Sequence, residues 1–133
     1  MEHIRYEVEG PIGVISLDRT EKANAVDQQA LDELNTAFEA AATDREIRVI
    51  VLRAEGKHFC AGLDLGVFGE LISSSPDPAR RAEQLRRNVL RLQTNLTAIE
   101  QCRVPVLAAI HNTCIGGGVD MTCCADMRYA TQD

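Results

Sequence analysis

The spacing of hydrophobic and polar positions changes several times along the chain, and each spacing predicts one type of element. Alternating positions in HIRYEVEG and the stretch VISLDR predict two strands, which the turn PIG joins into a hairpin. The runs IRVIVLRA and VPVLAAIH are almost continuously apolar, which is typical of strands covered on both faces. A last short strand is predicted in MRYAT.

Helical spacing occurs between these strands. The first helix is predicted to begin after Asp27, a good N-cap residue, and to bury one apolar stripe. That stripe contains Ala30, Leu31, Leu34, Ala37, Phe38 and Ala41. A long helix is predicted from Pro78, after the break SSSPDP. Its apolar seam contains Leu85, Val89, Leu92, Leu96 and Ile99.

Two shorter helices complete the prediction, one at the end of EGKHFCAGLDLGVFGE and one from the glycine run through about Ala125. RTEKANAV has no period and is predicted to be a loop. The main order β-β-α-β-α-β-α-β indicates an α/β domain with a mixed or mostly parallel sheet. The last strand would have nothing after it to cover its face, so we expect this chain to be part of one domain.

Composition narrows the classes of partner. The chain has 133 residues, of which 45% are hydrophobic, so a packed core is feasible. Its net charge of −6 argues against a nucleic-acid partner held through phosphates. The N-terminus has no apolar signal core, and no segment approaches the ~20 apolar residues of a bilayer span. We therefore expect a soluble cytoplasmic protein that does not bind membranes.

The cysteines do not form a recognisable pattern. There are five, and their spacing fits neither a disulfide framework nor a zinc site. We expect buried thiols that behave as small hydrophobic residues in a reducing compartment, and no metal site.

Two glycine-containing loops carry the candidate chemistry. CAGLD follows one predicted buried strand and CIGGG follows the next, so both would lie at the carboxyl edge of a parallel sheet. Backbone N–H groups without side chains in front of them, at Gly116, Gly117 and Gly118, could bind a ligand oxygen together with an N–H of AGLD. Asp120 would face the same cleft as a general acid or base.

Structural explanations of the same residues remain open. The glycines could serve only close packing of a helix on a strand, and Asp120 could serve only to compensate the helix dipole. A dinucleotide-binding fingerprint is excluded, because Met121 occupies the position of its third glycine.

Three segments together resemble the enoyl-CoA hydratase/isomerase family, also called the crotonase superfamily. They are KHFCAGLDL, PVLAAIHNTCIGGGVDMTCCADMRYAT and RTEKANAV, in which Asn24 and Ala25 match the usual Asn-Ala of the family. The resemblance implies the ClpP/crotonase spiral of ββα units. Domains of the family are about twice this length, within the single-domain range. Residues 1–133 would thus be the N-terminal part of one crotonase-like domain, without its C-terminal part.

The resemblance also implies an activity and a site. Family members bind an acyl-CoA thioester, use no metal or redox cofactor, and assemble as trimers or hexamers. By motif, the N–H groups of Leu63 and Gly117 would hold the thioester oxygen, and Asp120 would be a catalytic acid or base. The implied substrate-binding positions are Ala23, Ala25, Ala61, Gly62, Leu63, Asp64, Leu65, Gly116 and Gly117.

The resemblance leaves the reaction open among three alternatives. Hydratases of the family usually carry Glu at the Asp120 position, and Asp in CIGGGVD is most similar to the dienoyl-CoA isomerase branch. The alternatives are an enoyl-CoA hydratase with Asp in that place and a non-catalytic half-domain that binds acyl-CoA or assembles. The second acid of the family would lie beyond residue 133. Asn112 replaces the usual Gly, and Asn tolerates a positive φ.

Several other residues are expected to have structural or surface roles. His58 and His111 flank the two loops without matching a catalytic position. Cys60 would need a lowered pKa to act as a nucleophile. The arginines of the long helix are expected to be solvated, with a contact to CoA phosphates as the alternative for them and for Lys22. These arginines are Arg80, Arg81, Arg86, Arg87 and Arg91.

Overall fold

The computed structural model describes residues 1–72 and 74–132. Its strands are β1 (Ile4–Glu9), β2 (Ile12–Leu17), β3 (Val49–Ala54), β4 (Val106–Ile110) and β5 (Met127–Ala130). Its helices are α1 (Gln28–Thr43), α2 (Leu65–Leu71), α3 (Pro78–Glu100) and α4 (Gly117–Cys123). The predicted order of elements is therefore confirmed. The predicted loop after β2 contains a 3₁₀ turn at Thr20–Lys22, and α4 ends two residues earlier than expected.

One sheet contains all five strands in chain order. β1 and β2 form the predicted antiparallel hairpin, with Ile4 opposite Leu17. β2, β3, β4 and β5 then run parallel, with Ile50 opposite Val106 between β3 and β4. Because parallel strands end at the same edge, the loops after β3 and β4 lie side by side, as the sequence predicts.

A second layer of pairing lies beyond this edge. Val26 forms an isolated parallel bridge with Leu63, and Cys60 forms another with Cys114. Each strand–bridge–helix segment is thus a ββα unit whose second strand is reduced to one or a few residues. This layer brings the loop before α1 and the loops after β3 and β4 into direct backbone contact.

Helix α1 supplies most of the helical side of the core. The Asp27 side chain accepts a hydrogen bond from the Ala30 N–H at 2.8 Å, which confirms the predicted N-cap. The predicted apolar stripe is buried, and it packs in one cluster with the sheet residues Ile15, Ile50 and Leu52. Burial of this stripe supplies the main driving force for docking α1 on the sheet.

One burial prediction, that of a strand covered on both faces, was wrong in part, and the apolar seam of α3 is only partly buried. Ile50 and Leu52 of β3 are buried, but the alternate residue Val51 is only half-buried, so one face of this strand lacks a full cover. In α3, Ile99 is buried while Leu85 and Val89 are exposed. An apolar run in the sequence therefore shows that a surface could be buried. It does not show that other residues of this chain bury it.

The cysteines also depart from the expectation. All five are free, but only Cys60 is fully buried, and Cys123 is exposed. Across residues 1–72 and 74–132, no helix combines the length and apolar character of a bilayer span.

Candidate active site

The loops after β3 and β4 are joined through their main chains. The Phe59 N–H donates to the His111 carbonyl at 3.2 Å, and the Cys60 N–H donates to the Thr113 carbonyl at 3.0 Å. The Ile115 N–H returns to the Cys60 carbonyl at 3.1 Å. These bonds hold the beginnings of the segments CAGLD and CIGGG side by side.

Both histidines strengthen the same junction. His58 Nδ1 lies 2.9 Å from Thr113 Oγ1, and His111 Nε2 donates to the Gly56 carbonyl at 3.0 Å. Asn112 between these partners has φ 51°, the left-handed conformation expected for it. The two imidazoles contact the junction and not the cavity described below, in agreement with the structural roles expected for them.

The three glycines of CIGGG serve three different purposes. Gly116 has φ +52° and ψ −125°, a conformation that side chains with a Cβ rarely adopt. A Cβ on Gly118 would lie 2.8 Å from the Cβ of Cys60, so this glycine is required for close packing. A Cβ on Gly117 would lie 3.5 Å from the Leu63 nitrogen. Gly117 therefore leaves open the space in front of that nitrogen.

Gly62 completes the contact from the other loop. It has φ +92°, and a Cβ there would lie 3.1 Å from the Ile115 carbonyl and 3.5 Å from the Gly117 nitrogen. Any side chain would therefore be strained and would push the two loops apart. Gly62 thus lets the two loop backbones approach each other closely at Gly117.

The Leu63 N–H is directed toward Gly117 by the pairing of its neighbours. The Val26 N–H donates to the Gly62 carbonyl, and the Asp64 N–H donates to the Val26 carbonyl, both at 2.8 Å. In such a parallel pairing, the residue between the two bonded groups presents its own N–H to the opposite side. Within residues 1–72 and 74–132, neither the Leu63 N–H nor the Gly117 N–H donates a hydrogen bond. Two free donors thus lie beside each other.

A cavity of about 200 Å³ opens in front of these donors. Most of its wall is apolar, and Asp120 is the one ionisable side chain among the described residues that line it. Asp120 lies in the first turn of α4, three residues after Gly117, and is exposed. The lining residues are Val26, Leu31, Leu63, Val89, Leu92, Gln93, Leu96, Gly117 and Asp120.

Sequence reasoning missed the contribution of α1 and α3 to this cavity. Leu31 of α1 and four residues of α3 line it; three of those four belong to the predicted apolar seam, and the sequence predicts no role for the fourth. No signal in the sequence identifies these residues, because their role depends on the incomplete burial of the seam, and only the tertiary structure shows that burial. The residues of α3 are Val89, Leu92, Gln93 and Leu96.

The loop before α1 is built around a buried asparagine. Asn24 accepts a hydrogen bond from the Arg19 N–H and donates to the carbonyls of Glu55 and His58, each at 2.8 Å. The neighbouring Ala23 adopts φ 51°, and its carbonyl accepts from the Ala61 N–H at 3.0 Å. The predicted substrate-binding positions Ala23 and Ala61 are therefore adjacent through their main chains.

Asp64 is occupied by structural contacts. Its side chain caps α2 by accepting from the Gly66 N–H at 2.9 Å, and it accepts from Arg19 at 2.8 Å. The hydrogen bond from Gly66, and then the one from Arg19, lower the pKa of this carboxyl. Leu65 projects outward with 84% of its surface exposed, so it does not line the cavity.

The thiols near the site are not activated. Burial raises the pKa of the Cys60 thiol, and it also raises that of Cys114. No group of His, Cys, Asp and Glu in the described residues has an arrangement that could hold a metal ion.

The basic residues of α3 are paired on its outer surface. Arg87 Nε lies 2.9 Å from Glu83 Oε1, and Arg91 Nη2 lies 2.6 Å from Oδ2 of Asp32 in α1. These exposed pairs agree with the solvated face expected for the helix, and none of the five arginines lines the cavity.

Known proteins are similar to this chain in sequence and in fold. Residues 7–133 match the sequence profile of the family described as enoyl-CoA hydratase/isomerase. The peroxisomal Delta(3,5)-Delta(2,4)-dienoyl-CoA isomerase of Arabidopsis thaliana is 39% identical over 100% of this chain and 49% of its own length. The mitochondrial Delta(3,5)-Delta(2,4)-dienoyl-CoA isomerase of Mus musculus is 42% identical over 90% of this chain and 37% of its own. The chain thus spans half or less of these curated relatives.

A solved structure extends the likeness to three dimensions. The enoyl-CoA hydratase/carnithine racemase from Magnetospirillum magneticum superposes with a TM-score of 0.85 and 33% identity. The match covers 98% of this chain and 46% of that one. The fold is therefore the crotonase fold, as the sequence resemblance implies. With the profile match over residues 7–133, this chain belongs to the enoyl-CoA hydratase/isomerase family.

Proposed function

We propose that this chain forms the thioester-binding part of an acyl-CoA isomerase that acts on a 3,5-dienoyl-CoA. The observation that supports this proposal most strongly is the pair of free N–H groups at Leu63 and Gly117, which open on an apolar cavity beside Asp120. Two such donors stabilise the negative charge that develops on a thioester oxygen when a proton leaves the neighbouring carbon.

The proposed reaction balances without a cofactor. A base removes one proton from C2 of the 3,5-diene, and the electron pair spreads over C2, C4, C6 and the thioester oxygen. An acid returns one proton to C6, which leaves double bonds at C2 and C4. The thioester itself is the electron sink, so the protein needs to supply only hydrogen-bond donors and proton carriers.

Asp120 is the candidate for one of the two proton transfers. It is the one ionisable side chain among the described residues of the cavity wall, and it follows the Gly117 donor by one helical turn. The second acid or base has to come from outside the described residues of this wall. Which transfer Asp120 performs is decided by the position of the bound acyl chain relative to its carboxylate.

An enoyl-CoA hydratase is the second candidate, because a relative from Mycobacterium tuberculosis named as a hydratase is 28% identical over 92% of this chain. The protein purified from its native source should convert 3,5-dienoyl-CoA to 2,4-dienoyl-CoA faster than it hydrates a 2-enoyl-CoA. Hydration of the enoyl substrate with no action on the diene would overturn the isomerase proposal.

Two substitutions separate catalysis from folding. Asp120→Asn should lower kcat by about 10²–10⁴ through loss of acid–base catalysis. Its stability should change by less than about 1 kcal/mol, because the exposed carboxylate contributes only a helix-dipole interaction. Gly117→Ala should lower kcat through a Cβ placed 3.5 Å from the Leu63 nitrogen, while the helix is retained.

Asp126→Asn is the matched control for Asp120→Asn. Asp126 accepts a hydrogen bond from the Val106 N–H at 2.8 Å and does not line the cavity. It should lose stability and keep kcat. Equal kcat values for Asp120→Asn and the wild-type protein would instead favour a domain that binds acyl-CoA or assembles without catalysis.

Assembly, cofactor use and cellular location remain predictions. The expected trimer or hexamer is measurable by sedimentation, and the intact mass of the native protein gives its full length. Independence from added cofactors is measurable in the isomerase assay after dialysis. The predicted cytoplasmic location needs microscopy, since the two isomerases compared above are described as peroxisomal and mitochondrial.

A further inference from the structure

Arg19 directly precedes the 3₁₀ turn at Thr20–Lys22 and is largely enclosed, with 14% of its side chain exposed. One terminal nitrogen, Nη1, donates to the Ala25 carbonyl at 3.0 Å and to Asp64 Oδ2 at 2.8 Å. The other, Nη2, lies 3.2 Å from Asp27 Oδ2. A single guanidinium thus contacts the loop before α1, the N-cap of α1 and the loop after β3.

These three contacts surround the pairing that directs the Leu63 N–H. Ala25 and Asp27 are the neighbours of Val26, and Asp64 is the neighbour of Leu63. Val26 bonds to Gly62 and to Asp64, one residue on each side of Leu63. The guanidinium therefore contacts both partners of the pairing without lining the cavity.

We propose that Arg19 is a positioning residue, which holds the segment Gly62–Asp64 against Val26 so that the Leu63 N–H stays directed into the cavity. The inference rests on the proposed function for its catalytic consequence. The claim about position stands on the contacts alone. Arg19 does not line the cavity, so it acts through Leu63 and does not touch the substrate.

The geometry requires arginine and not merely a positive charge. A planar guanidinium directs several N–H groups to fixed positions at once, whereas a lysine ammonium is a single point charge on a flexible stem. Two carboxylates and one carbonyl converge here from different segments, so lysine could satisfy only part of the set. Arg19→Lys should therefore restore part of what Arg19→Met loses.

The experiment compares Arg19→Met, Arg19→Lys and Asp64→Asn with a matched control. Arg19→Met removes the charge and keeps the apolar stem. Asp64→Asn removes the ion pair and retains an N-cap for α2, since Asn caps as well as Asp. The control is Arg103→Met, because Arg103 also donates to backbone carbonyls, those of Ala42 and Asp44, but far from the cavity.

The first readout is amide hydrogen exchange by NMR, which needs no activity. Exchange at the Val26 and Asp64 N–H groups should speed up at least about 10-fold in Arg19→Met, beyond any change in global stability. Asp64→Asn should reproduce part of this effect, and the double variant should show less than the sum. Arg103→Met should leave these two amides at the rate set by its global stability. Unchanged exchange in Arg19→Met would overturn the positioning role.

The second readout is steady-state turnover of the dienoyl-CoA by the native-length protein. Misplacement of one donor should lower kcat by about 10²-fold in Arg19→Met with little change in KM. Arg19→Lys should recover part of kcat. Faster exchange at Val26 and Asp64 in a protein that never turns over the diene would reject the proposed function and retain the positioning role. Faster exchange with unchanged kcat in an active enzyme would reject the catalytic consequence.

Discussion

At the scale of single residues, the glycine run after β4 combines two explanations that the sequence alone leaves as alternatives. Gly117 leaves a backbone nitrogen open to the cavity, and Gly118 permits close packing on Cys60. Gly116 is required by its backbone conformation. Substitution by alanine should therefore have a different effect at each of the three positions.

The packing role of Gly118 predicts that Gly118→Ala strongly destabilises the folded protein. The new Cβ would lie 2.8 Å from the Cβ of Cys60. That atom is bonded directly to the backbone, so it cannot move away by a change of rotamer. We expect a loss of about 1–3 kcal/mol in the free energy of unfolding, measured by urea denaturation. The control is Gly69→Ala in α2, where a Cβ would meet nothing within 4 Å. That change should raise helix propensity, and a loss as large as that of Gly118→Ala would contradict this explanation.

At the scale of elements, Glu33 of α1 holds the start of β1. Its carboxylate accepts hydrogen bonds from the N–H groups of Glu2, His3 and Ile4, and from the side chain of Gln29. Burial acts to raise the pKa of Glu33, but these four donors outweigh it and lower the pKa to about 2. A helix side chain thus replaces backbone partners that β1 lacks at its beginning.

This shift predicts a pH-dependent difference between the wild-type protein and Glu33→Gln. Because the folded pKa is lowered from 4.5 to about 2, the stabilisation is fully present above pH 4.5. It is lost as the pH falls toward 2. Urea denaturation from pH 7 to pH 2 should show the wild-type advantage shrinking over the acidic part of this range. A constant difference at all pH values would contradict the role of the charge.

The position of α3 in the cavity wall predicts that a substitution there changes which acyl-chain lengths are accepted. Val89 and the next residue, Leu90, are both exposed, but only Val89 lines the cavity. Val89→Trp should reduce the space for an acyl chain and raise KM for long-chain dienoyl-CoA more than for short-chain substrates. Leu90→Trp should leave both KM values unchanged. Equal effects of the two substitutions would show that the cavity does not hold the acyl chain.

At the scale of the whole molecule, the described lining of the cavity brings together residues from distant parts of the chain, although the chain spans half or less of the curated relatives compared above. The two donors, the carboxylate and the apolar lining come from α1, α3, α4 and two loops. A ligand that binds only the folded state stabilises it in proportion to the logarithm of its concentration.

We therefore expect an acyl-CoA thioester to stabilise the 133-residue chain. At a concentration 100-fold above Kd, the gain should be about 2.7 kcal/mol, which thermal denaturation would detect as a rise in Tm. Gly117→Ala should bind more weakly, because its Cβ narrows the approach to the Leu63 nitrogen. A rise in Tm of the same size with that variant would place the thioester elsewhere.

The sequence by itself determined the features that depend on neighbouring residues. The order of strands and helices, the N-cap at Asp27 and the buried stripe of α1 follow from periodicity and local preferences. The left-handed Asn112 was expected because Asn replaces the usual Gly of the family. The proposed donors Leu63 and Gly117 came from a resemblance to known motifs. The structure adds that both N–H groups are free within the described residues.

Tertiary structure alone decided which surfaces meet. Val89, Leu92 and Leu96 of the α3 seam line a cavity and are not buried in the core, and Arg19 contacts Asp64, which lies 45 residues further along the chain. Periodicity reports that a face is apolar, but it does not report what covers that face. Contacts between distant segments depend on how the sheet and the helices pack around one another, and no local pattern in the chain encodes that arrangement.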